Sequence, residues 1–213
     1  MKHSQAEIIR EYGPFPGVTN VHGLTFDGRH VWFASGEKLH ALDPDTGETV
    51  QVFDVTADAG TAFDGKHFFQ LAEDRIQKID ARTGHVLAVI PAPGHGNDSG
   101  LAWSDGFLWV GQYRDRRICQ IDPETGKVLR TIESNRLVTG VTWIDGELWH
   151  GTWEGDESDV RRIDPATGEV LEQLEMPAGT GVSGLESDGA GRFFCGGGGS
   201  GKVRAIRRPK GGL

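Results

Sequence analysis

Two residues of this sequence have the chemistry and setting to move a proton, and six more to hold a ligand near them. Glu186 follows Ser183-Gly184-Leu185, at a position that four similar stretches of the chain fill with Thr25, Ala62, Ala102 and Thr142. Four small residues in register mean a crowded place or a narrow channel, where a carboxylate is costly unless it is paired or serves chemistry. Partial burial would raise its pKa toward that of a general acid or proton shuttle, with His22 the candidate partner across the channel. The alternative is a structural glutamate, bonded to backbone amides or to an arginine such as Arg204.

The six candidate ligand residues are Asn97, Asp98, Tyr113, Arg114, Trp153 and Glu154. They fall in segments whose length and chemistry change from one similar stretch to the next, and a stacking aromatic with an arginine suits a planar or anionic small molecule. The eight histidines show no HxH or HExxH spacing, so no cofactor is expected. A divalent cation is the weaker possibility, if His22, His95, Asp58 and Asp98 converge. The run GGGGSGK at 196–202 has the look of a phosphate-binding loop, but it joins two β-type runs and no helix follows it to receive an anion. Nothing resembles the nucleophile elbow of a serine hydrolase.

What must position these residues is a repeat. Gly, a small or apolar pair, an aromatic, Asp-Gly and an apolar-aromatic pair recur from Gly23, Gly60, Gly100 and Gly140, and more loosely from Gly184. A second motif follows each of the first four: LHALDPDTGETV, IQKIDARTGHVL, ICQIDPETGKVL and VRRIDPATGEVL. Each unit of roughly 40 residues thus holds two hairpins and four short strands, the signature of a propeller blade. The expected fold is an all-β, five-bladed β-propeller with four antiparallel strands per blade, in one domain with repeats starting near residues 20, 57, 97, 137 and 181.

The fifth unit has only three strands, and the run AEIIREY at 6–12 has no partner ahead of the first unit. It is expected to complete blade five and close the ring, leaving a short tail at 209–213. In such blades the Asp-Gly and Thr-Gly turns lie at one end, and they are monotonous. The crossovers and the second-to-third strand loops lie at the other end, where function is expected around a central funnel. Trp32, Trp109 and Trp149 align with Phe69 and Phe194, and Trp103 and Trp143 with Phe26 and Phe63, which reads as packing between blades. Trp153 stands just past the second strand of its unit and is free for other work.

Composition narrows the function. A net charge of −9 would repel a phosphate backbone, so nucleic acid is not an expected partner. The apolar runs are too short to span a bilayer, and the N-terminal residues lack an apolar core of the Sec type, so a cytoplasmic protein without membrane contact is expected. Two cysteines, Cys119 and Cys195, fall in different units and are expected as free thiols. A monomer that binds a small molecule is the reading that follows.

Three segments resemble the glutamine cyclotransferase family, five-bladed propellers that cyclise N-terminal glutamine. Asn20-Val21-His22-Gly23-Leu24 is similar to that family's Phe-Thr-Gln-Gly-Leu motif, with His22 at the Gln position. Leu148-Trp149-His150-Gly151-Thr152-Trp153 is similar to Tyr-Gln-Leu-Thr-Trp, which implies a substrate-contacting role for Trp153. Ser183-Gly184-Leu185-Glu186 keeps the Leu-Glu half of Asn-Glu-Leu-Glu, and Phe33-Ala34-Ser35-Gly36 stands where the family has Tyr-Glu-Ser-Thr-Gly. The resemblance implies a cyclase or transferase with Glu186 at its site. The blade motifs are also similar to virginiamycin B lyase-like and quinoprotein-like propellers, which leaves a lyase, or a noncatalytic interaction scaffold, as alternatives.

Overall fold

The computed structural model describes residues 1–210, so the part of the expected tail from 211 onward lies outside the described residues. Strands β1 (Lys2–Gln5) and β2 (Ile8–Tyr12) come first. Blade one follows with β3 (Leu24–Phe26), β4 (Val31–Ala34), β5 (Gly36–Leu42) and β6 (Thr49–Ala57). Blade two has β7 (Thr61–Phe63), β8 (His67–Ala72), β9 (Arg75–Asp80) and β10 (Val86–Pro91). Blade three has β11 (Asp98–Ser104), β12 (Phe107–Gln112), β13 (Arg117–Ile121) and β14 (Val128–Glu133). Blade four has β15 (Val138–Ile144), β16 (Glu147–Glu154), β17 (Glu157–Ile163) and β18 (Val170–Glu175). Blade five contributes β19 (Leu185–Ser187), β20 (Arg192–Gly196) and β21 (Val203–Arg207).

The five sheets form the expected five-bladed β-propeller, and β2 pairs antiparallel with β21 to complete blade five. The closing strand is anchored by Tyr12, which is buried and donates its hydroxyl to the Pro44 carbonyl at 2.8 Å. One strand goes beyond the sequence reading. β1 adds to the outer edge of blade four in parallel with β18, from Lys2 opposite Glu172 to Gln5 opposite Glu175. Its residues KHSQ carry no apolar alternation, so their pairing is dictated by the open edge of β18 rather than by their own pattern.

Local chemistry explains the turns. At the ends of the third strands, Asp43, Asp80, Asp122 and Asp164 each accept two backbone N–H groups through Oδ1, at 2.7–3.2 Å. Such Asx caps satisfy donors that the turn would otherwise leave open. In the Asp-Gly turns of blades three and four both central residues have positive φ, 51° and 85° at Asp105-Gly106 and 53° and 78° at Asp145-Gly146, the geometry of a two-residue primed hairpin.

The aromatics pack between blades as their register requires. Phe69 stacks on Trp103 with centroids 5.3 Å apart, Trp109 on Trp143 at 4.9 Å, and Phe194 on Phe26 at 6.4 Å across the closing seam. Each such pair adds about 0.5–1.5 kcal/mol beyond its buried area. Ser187 interrupts the series in blade five, and Trp149 meets Phe193 instead. Cys119 and Cys195 are buried and unbonded to each other.

Candidate functional site

Each inner strand is entered through a glycine, and these five glycines decide what the axis can do. A Cβ on Gly23, Gly60, Gly100, Gly140 or Gly184 would overlap the backbone of the next blade: Ala59 O, Leu101 N, Thr139 O, Leu185 N and His22 O respectively. The backbones therefore meet in a collar, with Gly23 N bonded to Ala59 O at 3.1 Å, and the axis has no room for a water molecule there. The central funnel expected from the sequence is closed at this level.

Glu186 lies two residues further along its strand than the collar, on the side of the Asp-Gly turns. Thr142 Oγ1 donates to its Oε1 at 2.5 Å, Thr25 Oγ1 to its Oε2 at 3.0 Å, and Ser187 N to Oε1 at 2.8 Å. Burial pushes the carboxyl up to about 7, against the pull of these donors. His22 precedes the collar and is not among these partners. Its ring is partly buried, which lowers its pKa, while the nearby Asp58 acts in the opposite sense. Asp58 itself accepts the Glu73 N–H with both oxygens at 3.2 Å.

At the loop end, four of the six expected ligand residues come together. Asn97, Asp98, Tyr113 and Arg114 line one open cleft of about 380 Å³ with Gly96. The crossover into blade three and the loop after β12 form its two walls, joined by a bond from Tyr113 N to Asn97 O at 3.2 Å. Asp98 accepts Gly94 N at 2.9 Å and Gln112 Nε2 at 3.1 Å, and burial raises its carboxyl above the usual range. Gln112 is fully buried and its Oε1 accepts the Arg117 Nε–H at 2.5 Å, so the amide that orients Asp98 is itself held from behind. Gln112 belongs to the polar run Gln112-Tyr113-Arg114-Asp115 that the sequence places at this end, and Ala72 and Gly197 stand at its position in blades two and five. Arg114 is exposed at the rim.

The other two are placed differently. Trp153 wedges its ring against the backbones of Gly181 and Gly198, where a Cβ on either would collide with it, and its Nε1 donates to Gly155 O at 3.0 Å. It reaches the cleft only through its carbonyl, which accepts the Tyr113 hydroxyl at 2.9 Å. Glu154 accepts Leu137 N at 2.8 Å and lies 3.3 Å from Arg136, so its carboxylate fastens the crossover between blades three and four. That backbone bond is the main cause of its lowered pKa.

In the acidic stretch after it, Asp156 and Glu157 are exposed and Asp159 turns inward. Asp159 is buried, bound by Arg161 at 2.6 and 2.9 Å and by Thr152 at 2.8 Å. The cation site considered from His22, His95, Asp58 and Asp98 does not assemble. Among the described residues no three His, Cys, Asp or Glu side chains group to hold a metal. No helix is long and apolar enough to cross a membrane.

No family model matches the chain, and no curated protein matches it in sequence. Solved structures do. The glutaminyl cyclase of Myxococcus xanthus superposes with a TM-score of 0.78 at 20% identity, covering 97% of each chain. The WD40 β-propeller domain of Doa1 matches with a TM-score of 0.56 at 19% identity, over 88% of this chain and 63% of that one. Kuenenia stuttgartiensis hydrazine synthase gives 0.53 at 19% identity, over 84% and 56%. Of these three, the likeness to the Myxococcus enzyme spans nearly the whole of both chains, and this chain shares its fold as a five-bladed β-propeller.

Proposed function

We propose that this protein binds a small polar molecule in the loop-end cleft of blade three, and that it is a diverged relative of the glutaminyl cyclases. The observation that carries the reading is the convergence of Asn97, Asp98, Tyr113 and Arg114 on one cleft of about 380 Å³. Arg114 offers a planar, permanently charged fork for a carboxylate, and Asn97 an amide for a peptide-like group. Asp98, its carboxyl raised above the usual carboxylate range by burial, is the group in the cleft suited to exchanging a proton. Glu186 is left out of the ligand's contacts in this reading because the glycine collar stands between the two.

The end-to-end likeness to a glutaminyl cyclase supports cyclisation as the chemistry. In that reaction the α-amino nitrogen of an N-terminal glutamine attacks its own side-chain carboxamide carbon, and ammonia leaves with the proton the amine gives up. Asp98 is the group in the cleft able to carry that proton. A cytoplasmic location belongs to the same proposal, supported by two free, buried thiols.

A glutaminyl dipeptide with a free carboxylate is the probe. Calorimetry is expected to show saturable binding that weakens at least about tenfold in Arg114→Ala, through loss of a charge-assisted contact. Ammonia release is expected to fall about 10²-fold in Asp98→Asn. Binding without ammonia release would end the cyclase reading and keep the binding one; binding untouched by Arg114→Ala would end both.

A further inference from the structure

The glycine-rich loop after β20 covers an arginine, Arg204, whose one carboxylate neighbour is too far away for a hydrogen bond. Arg204, in β21, is 7% exposed, and its guanidinium donates no hydrogen bond among the described residues. Its Nε and Nη1 are sealed from solvent without a partner. The nearest carboxylate oxygen, Glu11 Oε1, is 3.8 Å from Nε, too far for a hydrogen bond, and the other Glu11 oxygen holds Lys202 Nζ at 2.7 Å. A guanidinium buried in this way is costly unless an anion completes it.

The loop is built around that guanidinium. Gly197 is required above Arg204, since a Cβ there would lie 2.6 Å from Nη1 and would overlap Ser200 Oγ. Nη1 and the Ser200 hydroxyl therefore flank the same point. The amides of Gly197, Gly198, Ser200 and Gly201 are used within the fold, by Lys202 O, Ser183 Oγ, Gly197 O and Gly198 O. The Gly199 amide has no acceptor among the described residues and stands exposed at the loop tip beside Ser200. Two residues before Arg204, at the entry to β21, Lys202 adds a second cation, held by the partly exposed Glu11.

We infer that Arg204, Lys202, Ser200 and the Gly199 amide form a binding site for a small oxyanion of the phosphate or carboxylate kind, with the Glu11 carboxylate as its internal competitor. The donors are those of anion sites in general: a fork, a point charge, a hydroxyl and a backbone N–H. No helix N-terminus is needed, because the buried guanidinium supplies the field. The site lies on blade five, apart from the blade-three cleft, and stands whether or not that cleft binds the proposed ligand.

The test is a titration of the full chain with inorganic phosphate, and separately with acetate, at constant ionic strength set with chloride. The amide resonances of Gly199 and Ser200 and the Arg204 Nε–H resonance are followed. Saturable shifts with either anion are expected, and the tighter of the two names the ligand class. Glu11→Gln, a surface change that leaves the fold intact, is expected to tighten binding about threefold to tenfold by removing the competitor. Arg204→Gln is expected to abolish the shifts, and Lys202→Ala, which spares the buried position, to weaken binding about fivefold. No saturable shift with either anion, or binding that is unchanged in both Glu11→Gln and Lys202→Ala, would overturn the inference.

Discussion

Thr142 Oγ1 donates to Glu186 Oε1 at 2.5 Å, fastening the inner strand of blade four to a carboxyl group on blade five, while Thr25 holds the other oxygen from blade one. The carboxyl thus joins three blades at the ring's closing seam. Its folded pKa of about 7 stands above the ordinary 4.5, so folding takes up a proton. That contribution is fully present below pH 4.5 and is lost as pH rises through 7, a change of about 3 kcal/mol across the window. Glu186→Gln keeps the shape and removes the titration. Denaturant melts at pH 5 and pH 8 are expected to show a smaller loss of stability in the variant; an equal loss in both proteins would refute the assignment.

His150 works in the opposite sense. It is fully buried with Nδ1 against Gly151 O at 3.0 Å, and desolvation lowers its pKa from 6.5 to about 4. The neutral ring is the folded form, so its contribution is present above pH 6.5 and is lost, by about 3 kcal/mol, as pH falls through 4. Blade two places Gln70 at the same register, which makes His150→Gln the natural replacement. Between pH 4.5 and 6.5 the slopes of His150 and Glu186 oppose each other. Stability in that window is expected to fall with rising pH in His150→Gln and to rise with pH in Glu186→Gln, read from denaturation midpoints. Slopes of the same sign in the two variants would contradict this.

The N-terminal segment divides into two strands with different duties. Deleting residues 1–5 removes β1 from the outside of blade four and leaves the ring closed. Deleting residues 1–12 also removes β2 and the buried Tyr12, opening β21 as an unpaired edge. The shorter deletion is expected to stay soluble and lose about 1 kcal/mol or less, while the longer one aggregates on size-exclusion chromatography. A monomeric, equally heat-stable 1–12 deletion would show that closure is not needed.

The collar predicts an intolerance specific to its glycines. In Gly140→Ala the new methyl would overlap Leu185 N and Cβ, backbone and core that cannot move aside. Loss of about 3 kcal/mol or more, or failure to fold, is expected. Gly199→Ala, whose nearest neighbour would be Asn20 Oδ1 at an ordinary 3.5 Å, serves as the control and is expected to stay within about 0.5 kcal/mol. Equal melting temperatures in the two variants would mean that the blades are not in contact at the axis.

The blade plan was legible in the sequence because its causes are local or periodic. An Asp three residues before Thr specifies its own turn, as Asp43, Asp80, Asp122 and Asp164 do, and an aromatic in fixed register from Phe26 to Trp143 specifies packing against the next copy. Closure by the N-terminal strand followed from counting strands, since an odd edge in a ring must find a partner. Asn97, Asp98, Tyr113 and Arg114 were visible as a departure from the repeat, and they lie on two segments of one blade, where short-range pairing brings them together. Tertiary structure decided the rest, because it depends on how closely separate blades approach. Only the contact of neighbouring glycine backbones closes the axis and parts Glu186 from His22. Trp153 is committed to Gly181 and Gly198, and Glu154 to Leu137, by neighbours that no pattern around residues 153 and 154 encodes. Arg204 read from the sequence as a candidate partner of Glu186, but Thr25, Thr142 and the Ser187 amide hold that carboxylate, and the folded loop buries the Arg204 charge without a hydrogen-bond partner on Nε or Nη1.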